Sequence, residues 1–379
     1  MKIGFDAKRY FANFTGLGNY SRTLIENLVK YQVGHEYQLY THKFDSELIR
    51  QFPLTETAVS VRTPATSLGK LNGALWRSSL LKGDLVADKP DIYHGLSHEI
   101  PFGIQRVKGL KTVVTIHDLI FLRYPEYYRW TERAIYLRKF RYACRYADRV
   151  IAVSEQTRAD VIHFFGIPAD KIETIHQSCN PAFQTEVGDR LRSDVKNKYG
   201  LPEDYILYVG SFNKRKNLLG LIDGLKQMNV SLDAPLVMIG GGGQYKRQVM
   251  ERINRLGLDN RVFIHSDVPN EDLPAIYQQA RLFVYPSIFE GFGIPIIEAI
   301  FSGLPVVTSR DGCFPEAGGP DTRYVDPGNA EELATEMERV LTDSKLAATM
   351  IDNGLRYVSR FDGRETSTRL VRLYENLAG

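Results

Sequence analysis

The 379-residue chain has only three cysteines, Cys144, Cys179 and Cys313, and no Cys-x-x-Cys spacing. This scarcity argues against a disulfide framework and a zinc site, and it favours three reduced thiols in a cytoplasmic protein. No apolar run approaches the ~18 residues that a membrane-spanning helix needs. The opening Met1-Lys-Ile-Gly-Phe-Asp6 is typical of a first strand and not of a signal peptide. We therefore expect a cytoplasmic protein that reaches a membrane, if at all, from the inner face.

A large excess of either charge is also missing. With 48 Lys and Arg against 45 Asp and Glu, the net charge is +3, which is too small to predict nucleic acid as an overall partner. The hydrophobic fraction of 43% and charged fraction of 25% are those of an ordinary globular protein. A chain of this length exceeds what one core usually accommodates, so we expect two domains of roughly 150 to 190 residues.

Short apolar strands alternate with helical stretches along the chain, which predicts an α/β protein with parallel sheets and helices on both faces. In the first half we expect strands at residues 2–5, 37–40, 92–94, 112–116 and 149–153. In the second half we expect them at residues 205–209, 236–239, 262–264, 282–285 and 305–308. The alternation lapses at residues 175–183, so we place the domain boundary there.

One stretch, Tyr285-Pro-Ser-Ile-Phe-Glu-Gly-Phe-Gly-Ile-Pro-Ile-Ile-Glu298, passes from a predicted strand through a glycine turn into a predicted helix. Gly291 and Gly293 let the backbone turn tightly, and Pro295 is tolerated at a helix start. The first amides of such a helix have no partner within it and favour an anion such as phosphate. The same pattern also occurs as a plain turn in doubly wound sheets, so alone it is a weak indication of function.

The carboxylates Glu290 and Glu298 beside this turn indicate what kind of ligand it would take. Carboxylates repel phosphate but accept hydrogen bonds from hydroxyl groups, so the combination suits a sugar nucleotide. Paired carboxylates also occur in glycosidases, where they flank the scissile bond. The adjoining phosphate site favours donor binding over that alternative.

Further candidate residues follow other predicted strands, where open parallel sheets bind their ligands. His117 follows the strand at 112–116, and the basic pair Arg215 and Lys216 follows the strand at 205–209. We expect Gly16 and Gly18 to lie in the turn between the first strand and the next helix. A glycine pair of this spacing is a weak signal, and a plain structural turn is the simpler interpretation.

The two glutamates with Gly-Phe-Gly-Ile-Pro between them, followed by Gly303-Leu-Pro-Val-Val307 and Pro315-Glu316, resemble a known family. The family consists of the retaining glycosyltransferases of the two-Rossmann (GT-B) type, known as family 4 or group 1. Within it, the sequence most resembles the bacterial polysaccharide mannosyltransferases. The resemblance covers the whole chain and is strongest over residues 205–327. It implies two Rossmann-like domains facing across a cleft, with residues 1–180 binding the acceptor and residues 181–362 binding the nucleotide sugar. It also implies that residues 363–379 form a helix that packs back on the first domain.

The resemblance also assigns roles to individual residues. It implies that His117, Lys216 and Glu290 are catalytic. It implies that the donor is bound by Gly16, Gly18, Arg215, Lys216, Gly291, Phe292, Gly293, Ile294 and Glu298. In one departure, Ser211 follows Gly210 where many members have arginine, so one phosphate contact is absent or comes from elsewhere.

The function implied is transfer of a hexose, with mannose from GDP-mannose favoured, onto a glycan or lipid-linked acceptor in polysaccharide biosynthesis. Two alternatives are a UDP-hexose-dependent glycosyltransferase and a non-catalytic sugar-nucleotide-binding module; a phosphorylase or epimerase of the same fold is a third. No cofactor is expected besides the donor substrate. The chain has no Asp-x-Asp sequence, so we predict that the enzyme needs no metal.

Residues 129–146 carry six basic side chains, five aromatic ones and a single acidic one, Glu132. One interpretation is an amphipathic helix whose apolar stripe packs on the core. The other is peripheral contact with an anionic membrane, since basic helices with aromatic residues adhere to such surfaces.

Overall fold

A computed structural model describes residues 1–13, 15–44, 58–229 and 234–379. It divides into two compact units, Met1–Ser178 with Phe361–Gly379, and Cys179–Arg360. The boundaries expected from the sequence follow residues 180 and 362. Each unit contains one parallel sheet with helices packed against it, and the predicted α/β class is confirmed.

The first unit is built on a seven-stranded sheet in the order β3-β2-β1-β4-β5-β6-β7. Its strands are β1 Lys2–Asp6, β2 Glu36–Tyr40, β3 Val59–Arg62, β4 Ile92–Gly95, β5 Lys111–Ile116, β6 Arg149–Ala152 and β7 Ile172–Thr174. All neighbours are parallel, and in the pairing of β1 with β4 Ile3 lies opposite Ile92. The chain order reverses between β1 and β4, and ligands of such sheets bind beyond the carboxyl ends of the strands at this position.

Helices cover both faces of this sheet. The α-helices are Lys8–Ala12, Gly16–Tyr31, Ser67–Leu71, Gly73–Leu75, Leu81–Asp88, Ile120–Arg123, Trp130–Tyr146, Glu155–Phe165 and Gly363–Ala378. A π-helical segment spans Trp76–Leu80, and 3₁₀ turns span Ile104–Arg106, Pro125–Tyr127 and Ala169–Lys171. In the described part of the chain, no helix combines the length and apolar character needed to cross a bilayer.

Two buried clusters hold these helices on the sheet, because successive strand residues point to opposite faces. Val113 packs with the helices Gly16–Tyr31 and Gly363–Ala378, whereas the next residue, Val114, packs with Trp130–Tyr146 on the other face. The last helix therefore belongs to the first unit, as predicted. Its Tyr374 hydroxyl lies 2.6 Å from His94 Nδ1, and this contact is buried.

The second unit has a six-stranded parallel sheet in the order β10-β9-β8-β11-β12-β13. Its strands are β8 Ile206–Val209, β9 Leu236–Ile239, β10 Val262–His265, β11 Leu282–Tyr285, β12 Val306–Ser309 and β13 Arg323–Val325. Its α-helices are Asp189–Tyr199, Leu218–Gln227, Gly243–Arg255, Leu273–Gln279, Ile294–Phe301, Phe314–Gly318, Ala330–Thr342 and Ser344–Val358. Its 3₁₀ turns are Pro181–Gln184 and Lys214–Lys216, and the 3₁₀ turn Ser359–Phe361 crosses the boundary between the two units in the chain. The order reverses between β8 and β11, which is the arrangement of a Rossmann fold.

The strands expected from the sequence are present, and the structure adds β3, β7 and β13. Each of these has three or four residues and lies at a sheet edge. β3 and β13 are largely half-buried, so neither forms the continuous apolar run that identifies a central strand. The expectation that Gly16 and Gly18 lie in a turn was wrong. The helix begins at Gly16, and both glycines lie in its first turn.

Candidate active site

Three charged side chains meet where the strand order of the second unit reverses. β8 and β11 are neighbours, and Lys216 and Glu290 belong to the segments that follow them. The Lys216 Nζ atom lies 2.5 Å from Glu290 Oε1, and Arg215 Nη1 lies 2.5 Å from the same oxygen. One carboxylate thus holds two cations beyond the carboxyl ends of the strands, where a ligand would bind.

This cluster is largely shielded from water. The side chains of Lys216, Glu290 and Arg215 are 8%, 12% and 18% exposed. Burial alone would raise the pKa of Glu290, but the charges of Arg215 and Lys216 outweigh it and lower the pKa to about 2. Burial lowers the pKa of Lys216, and the Glu290 carboxylate opposes that shift. Lys216 is therefore not a solvated side chain, although two other basic residues precede it directly in the sequence.

Tyr285 completes the cluster. Its hydroxyl accepts a hydrogen bond from Lys216 Nζ and lies 3.3 Å from Glu290 Oε1. The ring is 1% exposed, and its centroid lies 4.7 Å from the Lys216 amine. Tyr285 is therefore a second contact, besides Glu290, that fixes the position of the Lys216 amine. Tyr285 is the first residue of the sequence motif, but the sequence pattern predicts no role for it, because it marks Tyr285 only as the end of a strand.

The glycine turn follows Glu290 directly. Gly293 has φ of +114°, a conformation that favours glycine, and it precedes the helix Ile294–Phe301. Within the first turn Pro295 has no N–H and Ile296 donates to the Gly293 carbonyl at 2.9 Å, so the Ile294 amide is the first-turn donor for an anion. Phe292 is 2% exposed, so its side chain is packed inside the unit.

Glu298 lies in the same helix and is also buried, at 9% exposure. The Tyr277 hydroxyl donates a hydrogen bond of 3.1 Å to Glu298 Oε2. Burial raises the pKa of Glu298 to about 7, although the hydrogen bond from Tyr277 opposes the shift. A carboxyl group that is half-ionised near neutral pH can accept hydrogen bonds from hydroxyl groups when it is deprotonated.

In the first unit, His117 follows β5 and is 6% exposed. Its Nε2 atom lies 2.8 Å from the Leu96 carbonyl oxygen, and its Nδ1 atom lies 2.9 Å from Gln177 Nε2. A carbonyl can only accept and an amide nitrogen can only donate, so the ring is neutral with its proton on Nε2. Burial, with a smaller contribution from His98, lowers the pKa of His117 to about 3.

The helix that begins at Gly16 contacts His117 through Tyr20, whose ring centroid lies 4.6 Å from that of the histidine. Gly18 is needed at the helix start, since a Cβ atom there would lie 1.7 Å from the Asn13 carbonyl oxygen. The Gly18 amide donates to Asn13 Oδ1 at 3.0 Å, so in this structure it stabilises the loop that precedes the helix. Gly16 would accommodate a Cβ atom without contact within 4 Å.

The structure thus gathers Arg215, Lys216 and Glu290 into one cluster, with the 291–294 turn and Glu298 following in the chain. His117 and the two glycines lie in the other unit. Tyr285, Tyr277 and Gln177 were missed, because each acts through a contact with a residue distant in the sequence. Within the described ranges, no three His, Cys, Asp or Glu side chains are grouped so as to hold a metal ion.

Comparisons with known proteins agree with this division. Residues 14–183 match the family described as Glycosyltransferase Family 4, and residues 190–357 match the family described as Glycosyl transferases group 1. The chain is 29% identical to O-antigen chain mannosyltransferase B of Escherichia coli, with 100% of each chain covered. It is 30% identical to the serotype-specific mannosyltransferase WbdA of Escherichia coli over 70% of this chain, but it spans only 34% of WbdA.

Among solved structures, HepE of Anabaena in complex with UDP and glucose has a TM-score of 0.75 and 22% identity to this chain. The match covers 99% of this chain and 100% of HepE. At this identity the likeness concerns the fold. Together with the two parallel sheets, it confirms the GT-B fold expected from the sequence.

Proposed function

This chain belongs to the glycosyltransferases of family 4 and group 1, and we propose that it transfers mannose from GDP-mannose to a glycan or lipid-linked acceptor in polysaccharide biosynthesis. The observation that carries the proposal is the buried cluster of Arg215, Lys216 and Glu290 at the strand-order reversal of the second unit. Two largely shielded cations on one carboxylate suit a ligand that brings more negative charge, such as a diphosphate.

In the proposed reaction, the bond between the sugar C1 atom and the diphosphate breaks, a bond between C1 and an acceptor hydroxyl oxygen forms, and the hydroxyl proton passes to the departing diphosphate. Arg215, Lys216 and the Ile294 amide would bind the diphosphate and stabilise the charge that grows on it as it leaves. As the cations turn to the phosphates, the Glu290 carboxylate becomes available to accept hydrogen bonds from sugar hydroxyls. Glu298 would bind the ribose, and His117 would contact the transferred sugar.

The two candidate donors, GDP-mannose and a UDP-hexose, are supported by different relatives. The mannosyltransferase names of the relatives from Escherichia coli support mannose, and with it GDP-mannose. HepE, which was crystallised with UDP and glucose, supports a UDP-hexose as the alternative donor. A non-catalytic module of the same fold would bind either nucleotide without turnover.

We also propose retention of the anomeric configuration and independence from metal ions. In this proposal the cations of Arg215 and Lys216 stabilise the leaving diphosphate, which is the task that a metal ion performs in other transferases. Proton NMR of the product sugar tests retention through the anomeric coupling. Loss of activity in a chelator, followed by recovery with manganese, would contradict metal independence.

The location we propose is cytoplasmic, with peripheral contact at the inner face of the membrane. A lipid-linked acceptor would be presented there, and the basic helix Trp130–Tyr146 supports such a contact.

Thermal unfolding with equal excesses of GDP, UDP and ADP tests the donor site. A nucleotide at about 100 times its dissociation constant stabilises the folded state by about 2.7 kcal/mol. We expect a shift with GDP, and a shift with UDP alone would select the alternative donor. Lys216→Met should abolish the shift, whereas Lys214→Met, which changes an exposed neighbouring lysine, should leave it unchanged. A folded sample that shifts with no nucleotide would contradict the proposal.

A further inference from the structure

The helix Trp130–Tyr146 presents one exposed face along its length. Positions spaced by three or four residues share a helix face, and Trp130, Ala134, Arg138, Arg141 and Arg145 follow that spacing. All five are exposed, as is the adjacent Ile135. We call these six residues the outer face.

The opposite side of the helix fixes this orientation. Phe140, Ala143 and Cys144 are buried in the core, and Phe140 stacks on His98 with a centroid distance of 4.3 Å. The helix is therefore amphipathic with a packed apolar stripe, as the first interpretation of the sequence predicted. The core does not need the outer face, which nevertheless carries apolar side chains. Trp130 is 78% exposed and Ile135 is 53% exposed.

The outer face is apolar at the start of the helix and basic toward its end. Arg138, Arg141 and Arg145 line an open groove of about 600 Å³ together with Phe102, Ala134, Leu137, Tyr142 and Tyr146. An adjoining groove of about 470 Å³ shares Arg145 and Tyr146 and adds Arg149 and Lys171. The two grooves place five cations along one side of the unit.

The acidic groups near this surface are few and mostly engaged. Glu132 accepts a hydrogen bond from the Arg129 amide at 3.1 Å. Asp148 accepts from the Thr112 amide and hydroxyl at 2.7 and 2.8 Å. Asp170 also lines the second groove. The balance in and beside the grooves is therefore positive, and it matches a surface that carries phosphate groups.

We propose that the outer face binds an anionic lipid bilayer, with Trp130 and Ile135 in the headgroup region and the three arginines on lipid phosphates. Anionic lipids attract basic residues near the membrane surface, and aromatic side chains settle at the interface between headgroups and acyl chains. A soluble acidic polymer would use the arginines but not the exposed Trp130 and Ile135. The inference deepens the membrane contact of the proposed function, but it does not depend on glycosyl transfer.

Tryptophan fluorescence provides a direct readout. The chain has two tryptophans, and Trp76 is 2% exposed. A blue shift of the emission on adding vesicles therefore reports the environment of Trp130. We expect this shift in the full chain with vesicles in which about a third of the lipid is phosphatidylglycerol, and not with phosphatidylcholine alone. A Trp76→Phe variant should keep the shift, and a wild-type emission that does not change with either vesicle would overturn the proposal.

Vesicle flotation measures the contribution of the charges. The triple variant Arg138→Glu, Arg141→Glu, Arg145→Glu should bind the anionic vesicles about tenfold more weakly or worse. The matched control is Arg190→Glu, Arg247→Glu, Arg255→Glu, which changes the net charge equally at exposed arginines of the second unit and should bind like the wild type. Equal binding by the two triple variants would overturn the proposal, because the effect would then be one of net charge alone.

The apolar anchors separate a bilayer from an acidic polymer. The double variant Trp130→Ser, Ile135→Ser should lose binding to anionic vesicles but should bind soluble polyphosphate as the wild type does. If it binds vesicles as the wild type does, the face takes a phosphate-bearing polymer and the bilayer proposal is wrong. Unchanged thermal unfolding and an unchanged nucleotide shift in each variant would show that the fold and the donor site are intact, so failure here is distinguishable from failure of the proposed function.

Discussion

The amine of Lys216 lies 2.5 Å from the Glu290 carboxylate, and Arg215 approaches the same oxygen equally closely. Both cations thus share one carboxylate, so removing Glu290 affects both ion pairs, whereas removing one cation leaves Glu290 paired with the other. This asymmetry sets the order in which substitutions at the cluster should affect stability.

Glu290→Gln should destabilise the protein more than Lys216→Met does. The first change removes the negative charge that two largely shielded cations share, which costs about 3 kcal/mol, while the second leaves Glu290 paired with Arg215. Urea denaturation at neutral pH measures both values. A loss in Lys216→Met equal to or larger than that in Glu290→Gln would contradict the argument.

The same carboxylate predicts an acid dependence. Its pKa is about 2 in the folded protein and lies below its ordinary value of 4.5, so its stabilising contribution is complete above pH 4.5 and is lost as the pH falls toward 2. The Gln variant should lack this loss. A wild type and variant whose stabilities fall in parallel over that range would assign the acid sensitivity to other groups.

Much of this site could be predicted from the sequence, because its anchors follow strands that are readable as apolar runs. Lys216 and Glu290 come after β8 and β11, and the glycine turn lies between a clear strand and a clear helix. Tyr285 and Gln177 could not be predicted. Their roles depend on partners about 60 to 70 positions away in the chain, and local periodicity carries no information on such contacts. The edge strands β3, β7 and β13 were missed for a different reason, since each is only three or four residues long and β3 and β13 are also largely half-buried.

Glu298 should make the protein less stable as the pH rises from 4.5 to 7. Its pKa is raised to about 7 in the folded state, so the native protein keeps a proton that the unfolded chain has released, and this costs up to about 3 kcal/mol at pH 8. Glu298→Gln should therefore be more stable than the wild type at pH 8 and similar to it at pH 4.5. Denaturation at both pH values measures the difference, and a stability difference that does not vary with pH would refute the raised pKa.

Gly18 and Gly16 form a matched pair for the start of the first long helix. A methyl group at Gly18 would overlap the Asn13 carbonyl oxygen, whereas one at Gly16 meets nothing within 4 Å. We expect Gly18→Ala to lose about 3 kcal/mol of stability and Gly16→Ala to change it by less than about 0.5 kcal/mol. Thermal unfolding compares them, and equal losses would show that the two positions tolerate a side chain alike.

A carboxylate in place of Gln177 should allow His117 to become protonated at mildly acid pH. Its amide donates to Nδ1 while Nε2 faces the Leu96 carbonyl, so the ring is held neutral, and its pKa is lowered to about 3 mainly by burial. Gln177→Glu replaces the donor with a carboxylate, which favours a proton on Nδ1 and should raise the pKa of His117 toward the ordinary value of 6.5. We expect a new titration in the histidine NMR signals and a fall in transfer activity below about pH 6, neither of which the wild type should show.

Gln177→Leu is the control, because it removes the hydrogen bond without adding charge and should lower stability by about 1 to 2 kcal/mol with no new titration. If the two variants have the same pH profile, a carboxylate at position 177 does not change the charge of His117.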